Sequence, residues 1–481
     1  MKSFAHILEN RALINGELVH GASEKKLIVK DKYNGEILTE ISLLSAEQME
    51  SAINAAHCAA PAMRKLSAGK RSAALQRMAN ALREEAESFA QLIAAEAGKP
   101  IEYARNEIGR CLVTLETAVG EALRFGGEVV PLDYNNGEGK TAFTKRFPVG
   151  PIACISPFNF PLNLALHKIA PAIAAGCTVL LKPAPQSPLT ALAFAALVHR
   201  LGVLPKGALN AVMTDIPEAE KMVRDERMKM LSFTGSPQIG WHLKNIAGKK
   251  KIALELGGNA AVIVNEDADL EKTAALVATG AYLYAGQICI STQRIYAHAR
   301  IFDDFSALLV QKIEALSVGN PRDEKVSVGP IIDRGHLQRI AQWVQEAVDG
   351  GAKILTGGNI IDEAHALYAP TLLTQTNTTM KVCALEAFGP VALIEKVDSF
   401  DEAIARTNDS VFGLQAGVFT NRIDHMRQAH EELEVGGVLI NNIPGFRIDS
   451  MPYGGVKDSG LGREGIRYAM EEMTEPRLLI Y

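Results

Sequence analysis

Between residues 151 and 256 the chain alternates short apolar runs with longer amphipathic segments, and this alternation constrains the fold more than any other feature. A run of about five apolar residues predicts a strand, whereas apolar residues spaced three or four apart predict a helix. Strands and helices in regular alternation indicate parallel strands joined by helical crossovers, which is an α/β fold with a doubly wound sheet. The predicted strands are 151–156, 177–182, 208–212, 228–233 and 251–256, and the predicted helices are 162–176, 189–202, 217–225 and 237–248.

Polar residues follow these predicted strands at their carboxyl ends. Asn159 comes after the first strand, Lys182 ends the second, Gly235 and Ser236 follow the fourth, and Glu255 lies in the fifth. Ligands bind beyond the carboxyl ends of the strands in open sheets of this kind, so the pattern favours a binding site at this edge. Surface loops are polar in any protein, and ordinary loops therefore stay open as the alternative.

The rest of the chain divides into a helical region and a second alternating region. Residues 45–125 have helical periodicity and begin with a capping-box pattern formed by Ser45 and Gln48. A second series of strands follows residue 259, and two more alternating segments lie outside both series. The strands of the second series include 260–264, 294–298 and 437–440, and the two outlying segments are 141–147 and 473–481.

Composition excludes several classes of protein. With 50 Lys and Arg against 55 Asp and Glu, the chain has no basic surplus for binding nucleic acid, and 47% hydrophobic residues are too many for a disordered chain. The most apolar stretch, 274–292, is interrupted by polar residues and glycine, and Glu9 and Arg11 interrupt the start where a signal peptide would be apolar. Six cysteines without CxxC pairs indicate a reducing compartment and no metal site. We therefore expect a cytoplasmic protein without nucleic-acid or membrane partners.

Three local motifs could carry chemistry, although each has a structural alternative. The segment from Gly235 to Gly240 opens a helix whose N-terminus could bind phosphate, or it could be a simple cap. Cys289 follows Gly-Gln-Ile and could be a nucleophile or a buried structural thiol. Glu255 ends an apolar strand, where burial of a carboxylate is costly, so it is either functional or held in an ion pair.

Together the motifs resemble the aldehyde dehydrogenase superfamily, in order and spacing, over nearly the whole chain. The fold implied is a Rossmann-type cofactor domain (1–126 and 149–256), an α/β catalytic domain (257–445) and a small oligomerisation sheet (127–148 and 446–481). The motifs that carry the resemblance are Pro157-Phe-Asn-Phe-Pro161, Lys182-Pro-Ala, Phe233-Thr-Gly-Ser236, Glu255-Leu-Gly-Gly-Asn259, Gly286-Gln-Ile-Cys289, Glu386-Ala-Phe-Gly-Pro390 and Pro452-Tyr-Gly-Gly-Val-Lys-Asp-Ser-Gly460.

The resemblance implies oxidation of an aldehyde to a carboxylic acid through covalent catalysis. Cys289 would attack the aldehyde carbonyl, and the side-chain amide of Asn159 and the Cys289 backbone N–H would stabilise the oxyanion of the thiohemiacetal. After hydride transfer to the nicotinamide, Glu255 would activate the water that hydrolyses the thioester. Two alternatives stay open: an enzyme that transfers the acyl group to CoA, and a catalytically silent structural member.

The resemblance also implies NAD or NADP as the cofactor. Pro185 stands where NAD-specific relatives often have a glutamate, so no carboxylate there would repel a 2′-phosphate. The segment 210–215 also lacks the family's usual glycine, which leaves the adenine pocket undefined. Ile155 and Ile239 would line the adenine, or they could equally be core residues. The remaining residues implied to bind the cofactor are Lys182, Gly235, Ser236, Glu386 and Phe388.

The substrate region contains polar residues at positions that hold aromatic side chains in many relatives. His167, Arg447 and Arg110 suggest a short polar or anionic aldehyde of the lactaldehyde, glyceraldehyde, semialdehyde or phospho-aldehyde class. In the alternative, Arg447 pairs with Asp449 and His167 is a satisfied core residue. Because the segments 141–147 and 473–481 resemble a sheet that bridges subunits in this superfamily, we also expect a homodimer or homotetramer.

Overall fold

The structure is a computed structural model that describes residues 3–481, an α/β assembly with two large sheets. Its helices are α1 (Ala46–Lys65), α2 (Ala68–Glu84), α3 (Ala86–Ala97), α4 (Ile101–Arg124), α5 (Asn163–Ala175), α6 (Leu189–Leu201), α7 (Ile216–Arg224), α8 (Pro237–Ile246), α9 (Leu270–Tyr282), α10 (Phe302–Glu314), α11 (Arg334–Asp349), α12 (Lys381–Ala384), α13 (Phe400–Asn408), α14 (Ile423–Glu432) and α15 (Ile466–Glu472). Its strands are β1 (Ala12–Ile14), β2 (Glu17–Val19), β3 (Lys26–Lys30), β4 (Ile37–Ser42), β5 (Val129–Val130), β6 (Ala142–Pro148), β7 (Pro151–Ile155), β8 (Thr178–Lys182), β9 (Leu209–Ala211), β10 (Met230–Thr234), β11 (Lys251–Glu255), β12 (Ala261–Val264), β13 (Arg294–His298), β14 (Lys353–Thr356), β15 (Ile360–Asp362), β16 (Leu367–Tyr368), β17 (Thr371–Thr374), β18 (Val391–Val397), β19 (Phe412–Gly413), β20 (Gln415–Phe419), β21 (Gly437–Ile440), β22 (Val456–Lys457), β23 (Gly460–Leu461) and β24 (Thr474–Ile480).

The first large sheet has the strand order β2-β1-β9-β8-β7-β10-β11-β23. Its five central strands, β7 to β11, are parallel, which confirms the doubly wound arrangement predicted from the alternating pattern. Each predicted strand and helix between 151 and 256 is present with boundaries within about two residues of the expected ones. The carboxyl ends of β7, β8, β10 and β11 therefore lie side by side, and we call this border the strand-end edge.

The helical region before this sheet forms as expected. Helix α1 begins with the predicted capping box, in which the Ser45 hydroxyl accepts from the Gln48 backbone N–H while the Gln48 side chain accepts from Ser45 N–H at 3.1 Å. The apolar faces of α2, α3 and α4 pack in one core with α5, α6 and the first sheet. These helices hold α5 in place, and α5 carries two residues of the site described below, His167 and Lys168.

The second large sheet has seven strands in the order β14-β17-β18-β13-β12-β20-β21. Strands β12, β13 and β21 correspond to the strands predicted at 260–264, 294–298 and 437–440. Helices α9, α10 and α11 bury their apolar faces on one side of this sheet, where they form a second core. The two cores explain how a chain of this length folds around more than one centre.

A small three-stranded sheet has the order β24-β6-β5. The sequence predicts β6 and β24 as strands but leaves the tail without a partner within the chain, whereas the two strands pair antiparallel from Thr474–Pro148 to Ile480–Ala142. The alternating pattern predicts each strand from its local sequence. It does not reveal that β24 pairs with β6, which lies more than 300 residues earlier in the chain. The segment 446–481 also contributes β23 to the edge of the first large sheet, so only its last part lies in the small sheet. No helix within residues 3–481 is both long and apolar enough to cross a membrane.

Candidate active site

A cavity of about 320 Å³ lies next to the carboxyl end of β11 and brings together five residues singled out by the sequence. Its wall includes Cys289, Glu255 and Asn159, the three residues expected to carry catalysis, and also Arg110 and Arg447. These residues come from α4, from the loop after β7, from the end of β11 and from two segments of the second half of the chain. The fold therefore assembles a nucleophile, a carboxyl group, an amide and two guanidinium groups around one space.

The segment that carries Cys289 is held in an uncommon backbone conformation. Tyr284, Ala285 and Gly286 have φ values of +50°, +53° and +68°, which form a tight left-handed turn before the cysteine. A Cβ at Gly286 would lie 2.1 Å from the carbonyl oxygen of Gly389, so this turn requires glycine there. The Tyr284 hydroxyl donates to the Ala97 carbonyl at 2.6 Å and fixes the turn to α3. Cys289 thus projects from a rigid segment.

The Cys289 thiol is 3.1 Å from the hydroxyl of Tyr453. Burial raises the pKa of the Cys289 thiol to about 12, an effect that the hydrogen bond from Tyr453 and the charge of Arg447 oppose. Burial therefore favours the protonated form of the sulfur. A base must remove this proton before the sulfur can act as a nucleophile.

Glu255 is buried, and neither of its carboxyl oxygens has a hydrogen-bond partner among the described residues. Burial and the nearby carboxylate of Glu464 raise its pKa well above the usual range, against the charges of Arg447 and Lys168. A carboxylate whose pKa is raised binds a proton more strongly than an ordinary carboxylate, which is the property of a general base.

Asn159 faces the same cavity from the loop after β7. One of its amide N–H groups donates to the Gln287 carbonyl at 2.9 Å, and its Oδ1 has no partner among residues 3–481. A primary amide has two N–H donors, so the second remains free to bind an oxyanion. The bond to Gln287 also ties Asn159 to the segment that carries Cys289.

Arg447 has a side chain that is only 5% exposed, and its partners differ from the one considered from sequence. Its Nη2 donates to His167 Nδ1 at 2.6 Å and to Glu464 at 3.1 Å, and it does not pair with Asp449. Its guanidinium lies 3.6 Å from the centre of the Tyr453 ring. Its buried Nε has no acceptor within the described chain, so this cavity wall contains an unsatisfied donor.

His167 is the one predicted substrate residue that does not line the cavity. It is buried on α5, where its Nδ1 accepts from Arg447 and its Nε2 lies 2.7 Å from Asp449. Asp449 in turn accepts from Arg110 at 2.7 Å. Although burial favours the neutral acid, His167 and Arg110 hold the pKa of Asp449 far below its usual range. The histidine therefore lies one layer behind the cavity and connects the two arginines.

Lys168 and Glu464 complete this buried charge cluster, and sequence reasoning missed both. Lys168 donates to Glu464 at 3.0 Å and to Thr234 at 2.7 Å. Burial opposes ionisation of Glu464, but Lys168, His167 and Arg447 keep its pKa well below the usual range. A lysine within the mainly apolar segment 162–176 was the available signal. We call the whole cluster the wall network, and its members are Arg110, His167, Lys168, Arg447, Asp449 and Glu464.

A second buried ion pair that the sequence did not reveal lines the cavity. Lys99 forms a close ion pair with Glu107, and its Nζ lies 3.6 Å from the centre of the Phe160 ring. Glu107 also accepts the backbone N–H groups of Leu162 and Asn163 at 3.1 Å, at the start of α5. Glu107 therefore caps α5, the helix that carries His167 and Lys168 of the wall network.

The residues expected to bind the cofactor lie along the strand-end edge. Ile155 and Lys182 end β7 and β8 as direct neighbours in the sheet, and Gly235 and Ser236 follow β10. Ser236 is the N-cap residue of α8, yet its side chain makes no capping bond, so the hydroxyl is free for a ligand. Ile239 is 50% exposed and is therefore not a core residue.

Lys182 is half-buried, and burial lowers its pKa to about 8. Its Nζ contacts the Pro183 carbonyl at 3.4 Å, and no carboxylate among residues 3–481 pairs with it. Pro185, the position at which an acidic residue would be expected in NAD-specific relatives, is exposed. The lysine is thus available to an anionic group.

Glu386 and Phe388 reach the strand-end edge from the second half of the chain. Glu386 accepts the Gly258 backbone N–H at 3.0 Å, and burial raises its pKa to about 7. A Cβ at Gly257 would lie 2.4 Å from the carboxyl group of Glu386, so glycine lets the two segments meet. Phe388 packs edge-on against Phe158, with ring centres 5.7 Å apart. This cradle, with the free Ser236 hydroxyl and the unpaired Lys182, fits a dinucleotide.

No group of three or more potential metal ligands occurs in the part of the chain that the structure describes.

Comparison with known proteins places the chain among aldehyde-oxidising enzymes. The model of the aldehyde dehydrogenase family matches residues 18–479. The 3-sulfolactaldehyde dehydrogenase of Priestia aryabhattai is 43% identical over 100% of this chain and 99% of its own. Aldehyde dehydrogenase 21 from Physcomitrella patens, solved with the reaction product succinate, superimposes with a TM-score of 0.96 at 40% identity, covering 98% of each chain.

A third relative is a solved enzyme with a bound cofactor. The glyceraldehyde-3-phosphate dehydrogenase of Methanocaldococcus jannaschii, complexed with NADP, has a TM-score of 0.91 at 38% identity and covers 95% of this chain and 100% of its own.

Proposed function

The chain belongs to the aldehyde dehydrogenase family, and from that premise we propose that it oxidises short aldehydes with an anionic group, using Cys289 as nucleophile. The family assignment makes it an NAD(P)-dependent aldehyde dehydrogenase. The substrate class and the role of each residue are our inference. The observation that carries it is Arg447, a buried guanidinium stacked on Tyr453, whose hydroxyl contacts the Cys289 sulfur.

The proposed reaction begins with deprotonation of Cys289. The thiol of Cys289, which lines the cavity, gives up its proton to water, and the thiolate attacks the carbonyl carbon of the aldehyde to give a thiohemiacetal. The free N–H of Asn159 and the backbone N–H of Cys289 stabilise the oxyanion. After oxidation to the thioester, Glu255 removes a proton from water, which attacks the acyl carbon and releases the carboxylic acid.

The strand-end edge would hold NAD or NADP. When bound, the oxidised nicotinamide supplies the hydride acceptor. Lys182 would bind the adenosine ribose or its 2′-phosphate, Ser236 and the α8 N-terminus would face the pyrophosphate, and Glu386 would accept from the nicotinamide ribose. Ile155 and Ile239 would flank the adenine, and Phe388 would lie beside the nicotinamide. In this assignment the first large sheet is the cofactor domain and the second belongs to the catalytic domain.

The anionic end of the substrate would bind at Arg447, with Arg110 as the outer contact. Arg447 offers an Nε–H without an acceptor, and an anionic oxygen would satisfy it. The three relatives support this choice, because sulfolactaldehyde, succinate and glyceraldehyde 3-phosphate each carry a sulfonate, carboxylate or phosphate. A short α-hydroxy aldehyde with a sulfonate, as in the Priestia relative, is the leading candidate.

The test is a substrate panel with both cofactors, followed by reduced-nicotinamide absorbance. We expect the highest kcat/KM for 3-sulfolactaldehyde or succinate semialdehyde, and a much lower value for neutral hexanal. Arg447→Met should lower kcat/KM for the anionic aldehydes about 100-fold more than kcat/KM for hexanal, whose smaller loss reflects the removal of the guanidinium beside Tyr453 and Cys289. Equal losses for neutral and anionic aldehydes would reject the assignment of Arg447 to the anion.

The same assay separates hydrolysis from acyl transfer. Glu255→Gln should give a first burst of reduced cofactor and then stall, since the thioester can no longer be hydrolysed. Cys289→Ala should abolish turnover. If CoA rather than water releases the product, the wild-type rate will depend on CoA and the product will be an acyl-CoA.

The small sheet would bridge subunits of a homodimer or homotetramer. Its edge strand β24 exposes Leu478, Leu479 and Ile480, with exposed fractions of 46–54%. Six cysteines without a disulfide also suit the reducing cytoplasm. Sedimentation that finds only monomers would reject the assembly.

A further inference from the structure

The buried hydroxyl of Tyr453 lies beside the sulfur of Cys289. The residue is 3% exposed, and in the described part of the chain the only hydrogen-bond partner of its hydroxyl is the Cys289 sulfur, at 3.1 Å. A buried tyrosine hydroxyl ordinarily has a hydrogen-bond partner, and here no carbonyl or carboxylate serves as one. The geometry therefore couples this phenol to the nucleophile.

The ring of Tyr453 is fixed by its backbone and by Arg447. Its N–H donates to the Glu464 carbonyl at 3.0 Å, and its carbonyl accepts the Glu464 N–H at 2.6 Å, so the two residues form an antiparallel bridge. The guanidinium of Arg447 covers one face of the ring at 3.6 Å. The hydroxyl is thus held in position before any substrate arrives.

We propose that Tyr453 is a further catalytic residue, whose hydroxyl donates a hydrogen bond to the Cys289 thiolate. The thiol and the hydroxyl can each donate, but once the sulfur has lost its proton it can only accept. A hydrogen bond to a charged acceptor is stronger than one between neutral groups, so the contact favours the thiolate over the thiol. The positive charge over the ring withdraws electron density and makes the phenol a better donor.

The contact between Tyr453 and Cys289 opposes the effect of burial on the sulfur. Burial disfavours ionisation of Cys289, and among the groups around the sulfur Tyr453 is the one within hydrogen-bond distance. Glu255 and Glu386 oppose a negative charge on the sulfur, whereas Arg447 favours it. The phenol therefore supplies local stabilisation where two nearby carboxyl groups would act against the thiolate.

The experiment is alkylation of the cofactor-free enzyme with iodoacetamide between pH 6 and pH 10, with Cys289 followed by mass spectrometry. Tyr453→Phe removes only the hydroxyl and keeps the ring under Arg447. We expect the alkylation rate of Cys289 to fall about tenfold at every pH in this range, because less of the thiol is ionised, with a similar fall in kcat/KM. An unchanged alkylation rate across the range would overturn the proposal.

Tyr282→Phe is the matched control, because it removes another buried hydroxyl, one that donates to the Thr371 carbonyl at 2.8 Å away from the cavity. Its alkylation profile should equal that of the wild type. Should Tyr453→Phe fail to fold, 3-fluorotyrosine introduced at position 453 keeps the shape and strengthens the donor. We then expect faster alkylation at pH 7, and an equal or slower rate would count against the hydrogen bond.

The proposal rests on the proposed role of Cys289 as nucleophile, and the two can fail separately. If Cys289→Ala retains turnover, the proposed function fails whatever Tyr453 does. If Cys289→Ala is inactive but Tyr453→Phe alkylates as the wild type does, only the role of Tyr453 is wrong.

Discussion

The strand-end edge and the wall network are both polar regions, but they differ in how many of their polar groups are paired within the protein. At the strand-end edge, Ile155, Lys182 and Glu255 end their strands, and Lys182 and Ser236 keep free polar groups. In the wall network, every charge is paired with others from distant segments. The Arg110–Asp449 and His167–Asp449 contacts join residues 339 and 282 positions apart.

This difference indicates that the polar groups have different roles in the two regions. Free groups at the edge are available to a ligand that arrives from solution. The paired charges of the wall hold one another in place, so that Arg447 enters the cavity in a fixed orientation. Mutations should therefore affect mainly cofactor binding at the edge, and stability as well as substrate binding in the wall.

Loss of Asp449 should be the most severe of the changes that test this contrast. Asp449→Asn removes the anion that His167 and Arg110 share, and it leaves two donors around a neutral amide. Because breaking a buried ion pair strands its partners, we expect a loss of about 3 kcal/mol in the free energy of unfolding, measured by urea denaturation.

Glu116→Gln is the control for this variant. Glu116 pairs with Arg83 on the surface, where both side chains are nearly half exposed. Its removal should cost less than about 1 kcal/mol. Similar losses for both variants would mean that the wall network does not behave as a buried unit.

The pH dependence of stability should have opposite signs in the two regions. The pKa of Asp449 is depressed in the folded chain, so its stabilising contribution is present above the unfolded pKa near 4 and is lost as the pH falls below it. The pKa of Glu386 is raised from 4.5 to about 7, so the folded chain holds its proton more tightly and stability is lost as the pH rises across that window.

Glu386→Gln should remove this second loss. We expect the variant to unfold like the wild type near pH 4 and to be more stable at pH 8, by at most about 3 kcal/mol, in parallel thermal melts of the cofactor-free protein. Glu431→Gln, at an exposed position, should have little effect at either pH. A wild-type protein that becomes no less stable between pH 5 and pH 8 would contradict the prediction.

The contrast also explains which parts of the site could be predicted from sequence. Lys182 and Glu255 stand next to strands whose apolar pattern is local, so the rule for parallel sheets located them correctly. The alternation likewise predicted the central strands of the first sheet. These inferences needed no knowledge of which distant segments meet.

The wall network could not be predicted in the same way. Asp449 is two residues from Arg447 and was its obvious partner, but the path of the loop turns the arginine towards Glu464 instead. Lys168 and Tyr453 gave only weak signals, because their roles depend on contacts with residues from other elements. Buried ion pairs between distant segments follow from tertiary packing, which periodicity does not describe.

The smallest expected effect concerns the choice between NAD and NADP at the strand-end edge. Lys182 has no carboxylate partner, and Pro185 contributes neither charge nor a hydrogen bond from its side chain. Pro185→Glu would add a carboxylate that accepts from ribose hydroxyls and repels a 2′-phosphate, so we expect the NADP-to-NAD ratio of kcat/KM to fall about tenfold.

Pro185→Ala removes the ring without adding charge and should leave the ratio within about twofold. Because the change is confined to a free surface group, the free energy of unfolding should stay within about 0.5 kcal/mol of the wild type, in contrast to Asp449→Asn. A Pro185→Glu variant with an unaltered ratio would show that the cofactor's ribose does not lie beside this residue.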